Sequence, residues 1–83
     1  MENNYLINGV NSPSFKNALA RAKRNADKEK YGIIDTVLDA AYEYYLTEEE
    51  TESLKIKLAD YCEKHLLYTS RQIETLRSWE VRL

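Results

Sequence analysis

The sequence predicts an all-α protein, a compact three- or four-helix bundle with a short extended N-terminal arm. Three observations favour this fold class. Apolar residues recur at the three-and-four spacing of a helix face along most of the chain. Signals that begin helices stand at Ser12, Thr47 and Thr69. The 83 residues contain one cysteine, so packing rather than disulfide bonds must hold them, and we expect a single domain over residues 1–83.

Residues 1–12 are polar and rich in asparagine, and they are expected to form the arm. The first helix is predicted over residues 13–30. Ser12 can cap its free amides, and Pro13 suits the first helical position, where a missing N–H costs nothing. Its expected inner face is mostly alanine and so can approach a neighbouring helix closely. This face consists of Phe15, Ala18, Leu19, Ala22 and Ala26.

The most apolar stretch of the chain is GIIDTVLDAAYEYYL, which predicts a central helix over residues 33–46. Two apolar stripes run along it, so it is expected to pack against neighbours on two sides. One stripe consists of Ile34, Val37, Leu38, Ala41 and Tyr45, and the other of Ile33, Ala40 and Tyr44. The narrow polar edge that is expected to face water consists of Asp35, Asp39 and Glu43.

A third helix is predicted over residues 48–68, because Thr47 and Glu50 have the spacing of a capping box. Its expected inner face consists of Leu54, Leu58, Tyr61, Cys62 and His65, widened by Ile56, Ala59, Leu66 and Leu67. Thr69 and Gln72 repeat the capping-box spacing and predict a fourth helix over residues 71–83. Its expected inner face consists of Ile73, Leu76, Trp79 and Leu83.

The residues that commonly carry chemistry are scarce in this chain. Cys62 and His65 lie three apart on one predicted helix, but no other cysteine or histidine exists to complete a zinc site. Gly9 and Gly32 are the only glycines, which excludes a glycine-rich loop around a phosphate. We therefore expect a protein that is not an enzyme and that has no cofactor and no metal site.

The chain is expected to be cytoplasmic and not to enter a membrane. No apolar run approaches the roughly 18 residues of a spanning helix, and the first residues, MENNYLINGV, lack the features of a signal peptide. A single cysteine is consistent with a reducing compartment.

Charge is distributed unevenly along the sequence. Residues 15–30 contain six basic and two acidic side chains, whereas residues 31–63 contain nine acidic and two basic ones. One interpretation is that neighbouring helices exchange weak surface ion pairs. The other is that one charged surface steers a partner of opposite sign.

These observations predict a small non-catalytic regulator of the inhibitor, immunity-type or adaptor class, which binds a protein partner. Seven tyrosines in a chain of this length favour binding, because tyrosine brings a large rigid area with a polar tip. A homodimer is left open. The expected contact surface is acidic and tyrosine-rich, and its candidate residues are Asp35, Asp39, Tyr42, Glu43, Tyr44, Glu48, Glu49 and Glu52.

The alternative is DNA binding. Residues 5–46 resemble a ribbon-helix-helix repressor, with a short segment (YLINGV), a capped helix (SPSFKNALARAKRNADKEK), a turn (YG) and a second helix (IIDTVLDAAYEYYL). The resemblance implies a dimeric transcriptional regulator whose paired strands enter the major groove. The residues that would then contact DNA are Asn8, Lys16, Arg21, Lys23, Arg24 and Lys28. Binding of this kind would weaken steeply with salt.

Overall fold

A computed structural model describes residues 12–82, and over this range it consists of four helices joined by short turns, with no β-strand. The helices are α1 (Pro13–Lys28), α2 (Ile33–Glu43), α3 (Glu48–Lys64) and α4 (Ser70–Ser78). α1 packs against both α2 and α3, while α4 packs mainly against α3 and also touches α2. The predicted all-α bundle is confirmed. The predicted N-terminal arm lies outside the described residues, apart from Ser12.

α1 begins and packs as the sequence predicts. The Oγ atom of Ser12 accepts a hydrogen bond from the backbone N–H of Phe15 at 3.0 Å, and Pro13 is the first helical residue. Phe15, Ala18, Ala22 and Ala26 are fully buried, and Leu19 is half-buried. The helix ends at Lys28 rather than at residue 30. There Glu29 adopts a left-handed backbone (φ 47°), and its N–H donates to the carbonyl of Ala26 at 2.9 Å.

α2 ends at Glu43, and the prediction that it continues to residue 46 is wrong. The N–H of Leu46 donates to the carbonyl of Ala41 (3.0 Å), and the N–H of Tyr45 donates to that of Tyr42 (3.4 Å). These are the two hydrogen bonds of a Schellman motif, in which Tyr45 is the left-handed residue (φ 56°). The reversal buries Leu46 and turns Tyr45 outward, 92% exposed, instead of onto the predicted inner stripe.

α3 ends in the same way at Lys64, four residues before the predicted end. The N–H of Leu67 donates to the carbonyl of Cys62 (2.9 Å), and the N–H of Leu66 donates to that of Glu63 (3.3 Å). Leu66 is the left-handed residue (φ 57°) and is 89% exposed. Leu66, His65 and Ile56 were predicted to face inward, and all three are exposed instead. Leu54, Leu58, Ala59 and Cys62 are buried as predicted.

Both predicted capping boxes are present. Thr47 accepts a hydrogen bond from the N–H of Glu50 (3.1 Å), and the Glu50 carboxylate accepts one from the N–H of Thr47 (2.9 Å). Thr69 and Gln72 form the same reciprocal pair at the start of α4. α4 ends at Ser78 and not at residue 83, because Trp79 adopts an extended backbone. Ile73 and Leu76 are buried as predicted, Trp79 is half-buried, and Leu83 lies outside the described residues.

A lysine fixes the chain that follows α4. Lys55 of α3 is 5% exposed, and its ammonium group donates to the backbone carbonyls of Arg77 (3.2 Å) and Trp79 (3.0 Å). The carboxylate of Glu52 lies 2.9 Å from the same ammonium group. Since the last carbonyls of a helix have no partner within it, Lys55 satisfies two of them and holds the chain after α4 against α3.

Candidate protein-binding surface

The acidic edge of α2 is partly closed off by α1. The Nε atom of Arg21 donates to the carboxylate of Asp39 at 2.8 Å, and the side-chain amide of Asn25 donates to the same oxygen at 3.1 Å. The hydrogen bond from Arg21 to Asp39 and the charge of the Asp39 carboxylate raise the pKa of the Arg21 guanidinium. Asp39 is half-buried, so the expectation that it simply faces water is wrong. The interpretation that oppositely charged helices pair is correct for this contact.

A second acidic group lies at the start of α3. Glu48 and Glu49 are exposed in its first turn, and Glu52 follows one turn later. Glu80 joins them, because Lys55 holds the preceding residues against α3. Together these four carboxylates and Val81 line a shallow depression of about 340 Å³. The contribution of Glu80 could not be predicted from the sequence, since nothing in the sequence indicates that the chain turns back toward α3 after α4.

Two exposed tyrosines precede this acidic group in the chain. Tyr42 is 61% exposed in the last turn of α2, and Tyr45 follows in the left-handed position, three residues before Glu48. Tyr44, a predicted contact residue, is half-buried and packs against the core. Tyr45 was missed because its motif usually has glycine at that position, and no glycine or asparagine marks the turn here.

The predicted contact residues are therefore only partly brought together. Asp35 and Glu43 are exposed on α2, but Asp35 lies about 12 Å from Glu43 along the helix axis. Glu52 is half-exposed and paired with Lys55. We use the name acidic-aromatic surface for the exposed tyrosines at the end of α2 together with the exposed carboxylates around the depression at the start of α3. This surface consists of Tyr42, Tyr45, Glu48, Glu49 and Glu80.

The basic residues predicted for DNA binding differ in their contacts. Arg21 is engaged by Asp39, and Lys23 lies over the ring of Tyr61, 5.1 Å from its centroid. Three further residues, Lys16, Arg24 and Lys28, are exposed on α1. Asn8, the predicted contact to a base, lies outside the described residues.

The side chains of Cys62 and His65 lie in different environments. Cys62 is fully buried, and burial raises the pKa of its thiol to about 11, with the charges of Asp27 and Glu29 acting in the same direction. His65 is exposed and stacks on Tyr61, with ring centroids 4.3 Å apart. Over residues 12–82, no three histidine, cysteine or acidic side chains converge on a point that could hold a metal ion.

We expect Cys62 to make the protein less stable in alkaline solution. A thiol whose pKa is raised by folding stabilises the native state below about pH 9, and this contribution is lost as pH rises toward 11. The phenols of Tyr61 and Tyr68 act in the same direction, because their pKa values are also raised, for Tyr61 by its hydrogen bond to Asp27 and for Tyr68 by burial. Urea unfolding between pH 7 and 11 should show the loss, of which Cys62 supplies up to about 2 kcal/mol.

The variant Cys62→Ala is the control for this measurement. It should lose less stability than the native chain over the same pH range, because its buried position no longer contains an ionisable group. A native chain and a Cys62→Ala variant with parallel pH profiles would contradict the assignment.

No described helix has the combination of length and apolar character that a membrane span requires. The fold defines a small all-α domain of four helices. No protein-family model matches the chain, and no curated protein and no solved structure shows significant similarity to it.

Proposed function

We propose that this protein is a small non-catalytic regulator of the inhibitor, immunity-type or adaptor class, and that it binds a basic surface of a protein partner through the acidic-aromatic surface. The observation that carries the proposal is that the aromatic side chain of Tyr45 is exposed while its backbone is left-handed. We further propose that the protein is cytoplasmic, since its single free cysteine suits a reducing compartment.

Tyr45 is an unfavourable choice for folding alone. The left-handed conformation costs roughly 1–2 kcal/mol for a residue with a Cβ atom, and glycine avoids this cost. With 92% of its surface exposed, the tyrosine ring recovers little of that cost through packing. A side chain that is costly for folding and exposed to solvent is often part of a binding site. Tyrosine is also among the residues that most often dominate binding energy.

The carboxylates beside Tyr45 indicate the charge of the partner. Glu48, Glu49 and Glu80 are exposed and line the shallow depression at the start of α3. Such a group steers a basic surface toward the site and increases the association rate, an effect that salt weakens. Tyr42 and Tyr45 would then supply the apolar area that holds the complex together.

The DNA-binding alternative stays a prediction. It depends on a dimer with paired strands formed by residues that the structure does not describe, and Arg21 is already engaged by Asp39. A dimer that binds a duplex at low salt and releases it at physiological salt would support this alternative over a protein partner.

Tyr45→Gly tests the proposal, because stability and binding should change in opposite directions. The variant should gain about 0.5–1 kcal/mol in the free energy of unfolding, since glycine relieves the left-handed position. Capture of the partner from a lysate of the source organism by the immobilised protein should fall at least about tenfold.

Leu66→Gly is the matched control. Leu66 occupies the same position of a Schellman motif at the end of α3, and it is almost equally exposed. It should gain similar stability and retain the captured partner. If Tyr45→Gly retains the partner as well, or if both variants lose it, the acidic-aromatic surface is not the binding site.

A further inference from the structure

A basic groove lies between α1 and α3, on residues that the acidic-aromatic surface does not use. Its volume is about 430 Å³. Three lysines line it, Lys23 from α1 and Lys57 and Lys64 from α3, and Leu19 and Tyr61 form an apolar part that we call its floor. Asp60 of α3 and His65, directly after α3, complete the lining. Lys57 and Lys64 are seven residues apart, which places them on one helix face, about 10 Å apart along the axis.

Within residues 12–82, the lysines of this groove form no ion pair with an acidic side chain. Asp60, the one carboxylate in the lining, pairs with Arg77 at 3.0 Å, and Asp27 beside the groove accepts a hydrogen bond from the hydroxyl of Tyr61 at 2.7 Å. Three lysines against one paired carboxylate in the lining give the groove a net positive charge above its apolar floor.

We propose that this groove binds an acidic peptide segment of a second protein, with Lys23, Lys57 and Lys64 pairing with its carboxylates. The apolar floor formed by Leu19 and Tyr61 would accommodate a side chain between the charged contacts. The charge complementarity is local, because the whole chain has a formal net charge of −2.

An acidic peptide fits this groove better than a nucleic acid does. Nucleic acid carries charge continuously, one unit per roughly 1.7 Å of a duplex axis, and would extend past three lysines onto the carboxylates beside them. Asp27 lies on the α1 side, and Asp60 and Glu63 lie on the α3 side. A peptide can place a few carboxylates over the lysines and neutral residues over these acids.

The test uses fluorescence anisotropy with a fluorescein-labelled peptide of alternating glutamate and alanine, at low ionic strength. We expect saturable binding that weakens with added salt. The same peptide with glutamine in place of glutamate should not bind. The double variant Lys57→Glu/Lys64→Glu should weaken binding at least about tenfold, and Lys57→Gln/Lys64→Gln should weaken it less.

The control variant Lys28→Glu/Arg71→Glu carries the same change in net charge on exposed residues outside the groove. It should bind the peptide within about twofold of the native chain. Circular dichroism and the thermal midpoint of each variant report whether the fold is intact.

The proposal is overturned if the peptide does not bind, or if Lys57→Glu/Lys64→Glu and Lys28→Glu/Arg71→Glu weaken binding equally. It is also overturned if an oligothymidylate of equal charge binds more tightly than the peptide. A fourth contrary outcome is a salt-dependent dimer that Lys57→Glu/Lys64→Glu abolishes. The last would assign the groove to a contact with the acidic surface of another copy. Because Tyr45→Gly should retain the peptide, failure of this proposal is distinguishable from failure of the acidic-aromatic surface.

Discussion

Replacing Phe15 with alanine is expected to lower the free energy of unfolding by about 3–5 kcal/mol. Phe15 is the largest fully buried side chain of the described residues and lies in the first turn of α1. The other fully buried residues of α1 are alanines, which are too small to fill the cavity. A domain of this length has a total stability of about 4–12 kcal/mol, so the variant should unfold far more readily.

Urea unfolding followed by circular dichroism measures this effect, with Phe15→Leu as the control. Leucine keeps most of the buried volume and should cost less than about 1.5 kcal/mol. If Phe15→Ala costs no more than Phe15→Leu, then Phe15 does not anchor α1 in the core.

Replacing Lys55 with methionine should cost about 2–4 kcal/mol of stability. Methionine keeps the length of the side chain but cannot donate to the carbonyls of Arg77 and Trp79, which would lose a charged partner at the end of α4. The segment that follows should detach from α3. Trp79 is the only tryptophan and is half-buried, so its fluorescence should shift to longer wavelength as water reaches it.

Glu52→Gln separates the buried contacts of Lys55 from its surface ion pair. The side chain of Glu52 is 46% exposed, so removing its charge should cost less than about 1 kcal/mol and leave the fluorescence of Trp79 unchanged. If Glu52→Gln has the same effect as Lys55→Met, the ion pair and not the two carbonyl contacts holds this segment.

The beginnings of the helices were predictable, because they depend on residues close together in the sequence. A capping side chain bonds amides two or three residues away, and Ser12, Thr47 and Thr69 all do so. The inner face of α1 was predictable for a related reason. Its alanines and Phe15 follow one helical period with no competing apolar stripe.

The ends of α2 and α3 were not predictable from the sequence. Each ends in a Schellman motif with a tyrosine or leucine at the left-handed position, where glycine is the usual signal. In the sequence, Tyr45 and Leu66 continue the apolar spacing of their helices, so both were predicted to lie on an inner helix face. The backbone reversal instead exposes them, and this changes which aromatic residue is available to a partner.

The types of residue in the candidate surfaces were predictable, but the particular residues that form each surface were not. The acidic start of α3 and the tyrosines near it were identified, and so was the basic character of α1. Asp39 is not part of the acidic-aromatic surface, because Arg21 of another helix binds its carboxylate. Glu80 is part of it, because Lys55 holds the chain after α4 against α3. Lys57 and Lys64 line a groove only because α1 and α3 pack against each other.

The sequence by itself determined the all-α class, the beginnings of the three capped helices and most of the core, since caps and apolar periodicity act over a few residues of the same helix. The tertiary structure decided the helix ends, the partners of the charged side chains and the composition of both candidate surfaces. These features depend on contacts between residues far apart in the chain, such as Arg21 with Asp39 and Lys55 with Trp79. No local pattern encodes which distant group a side chain will meet.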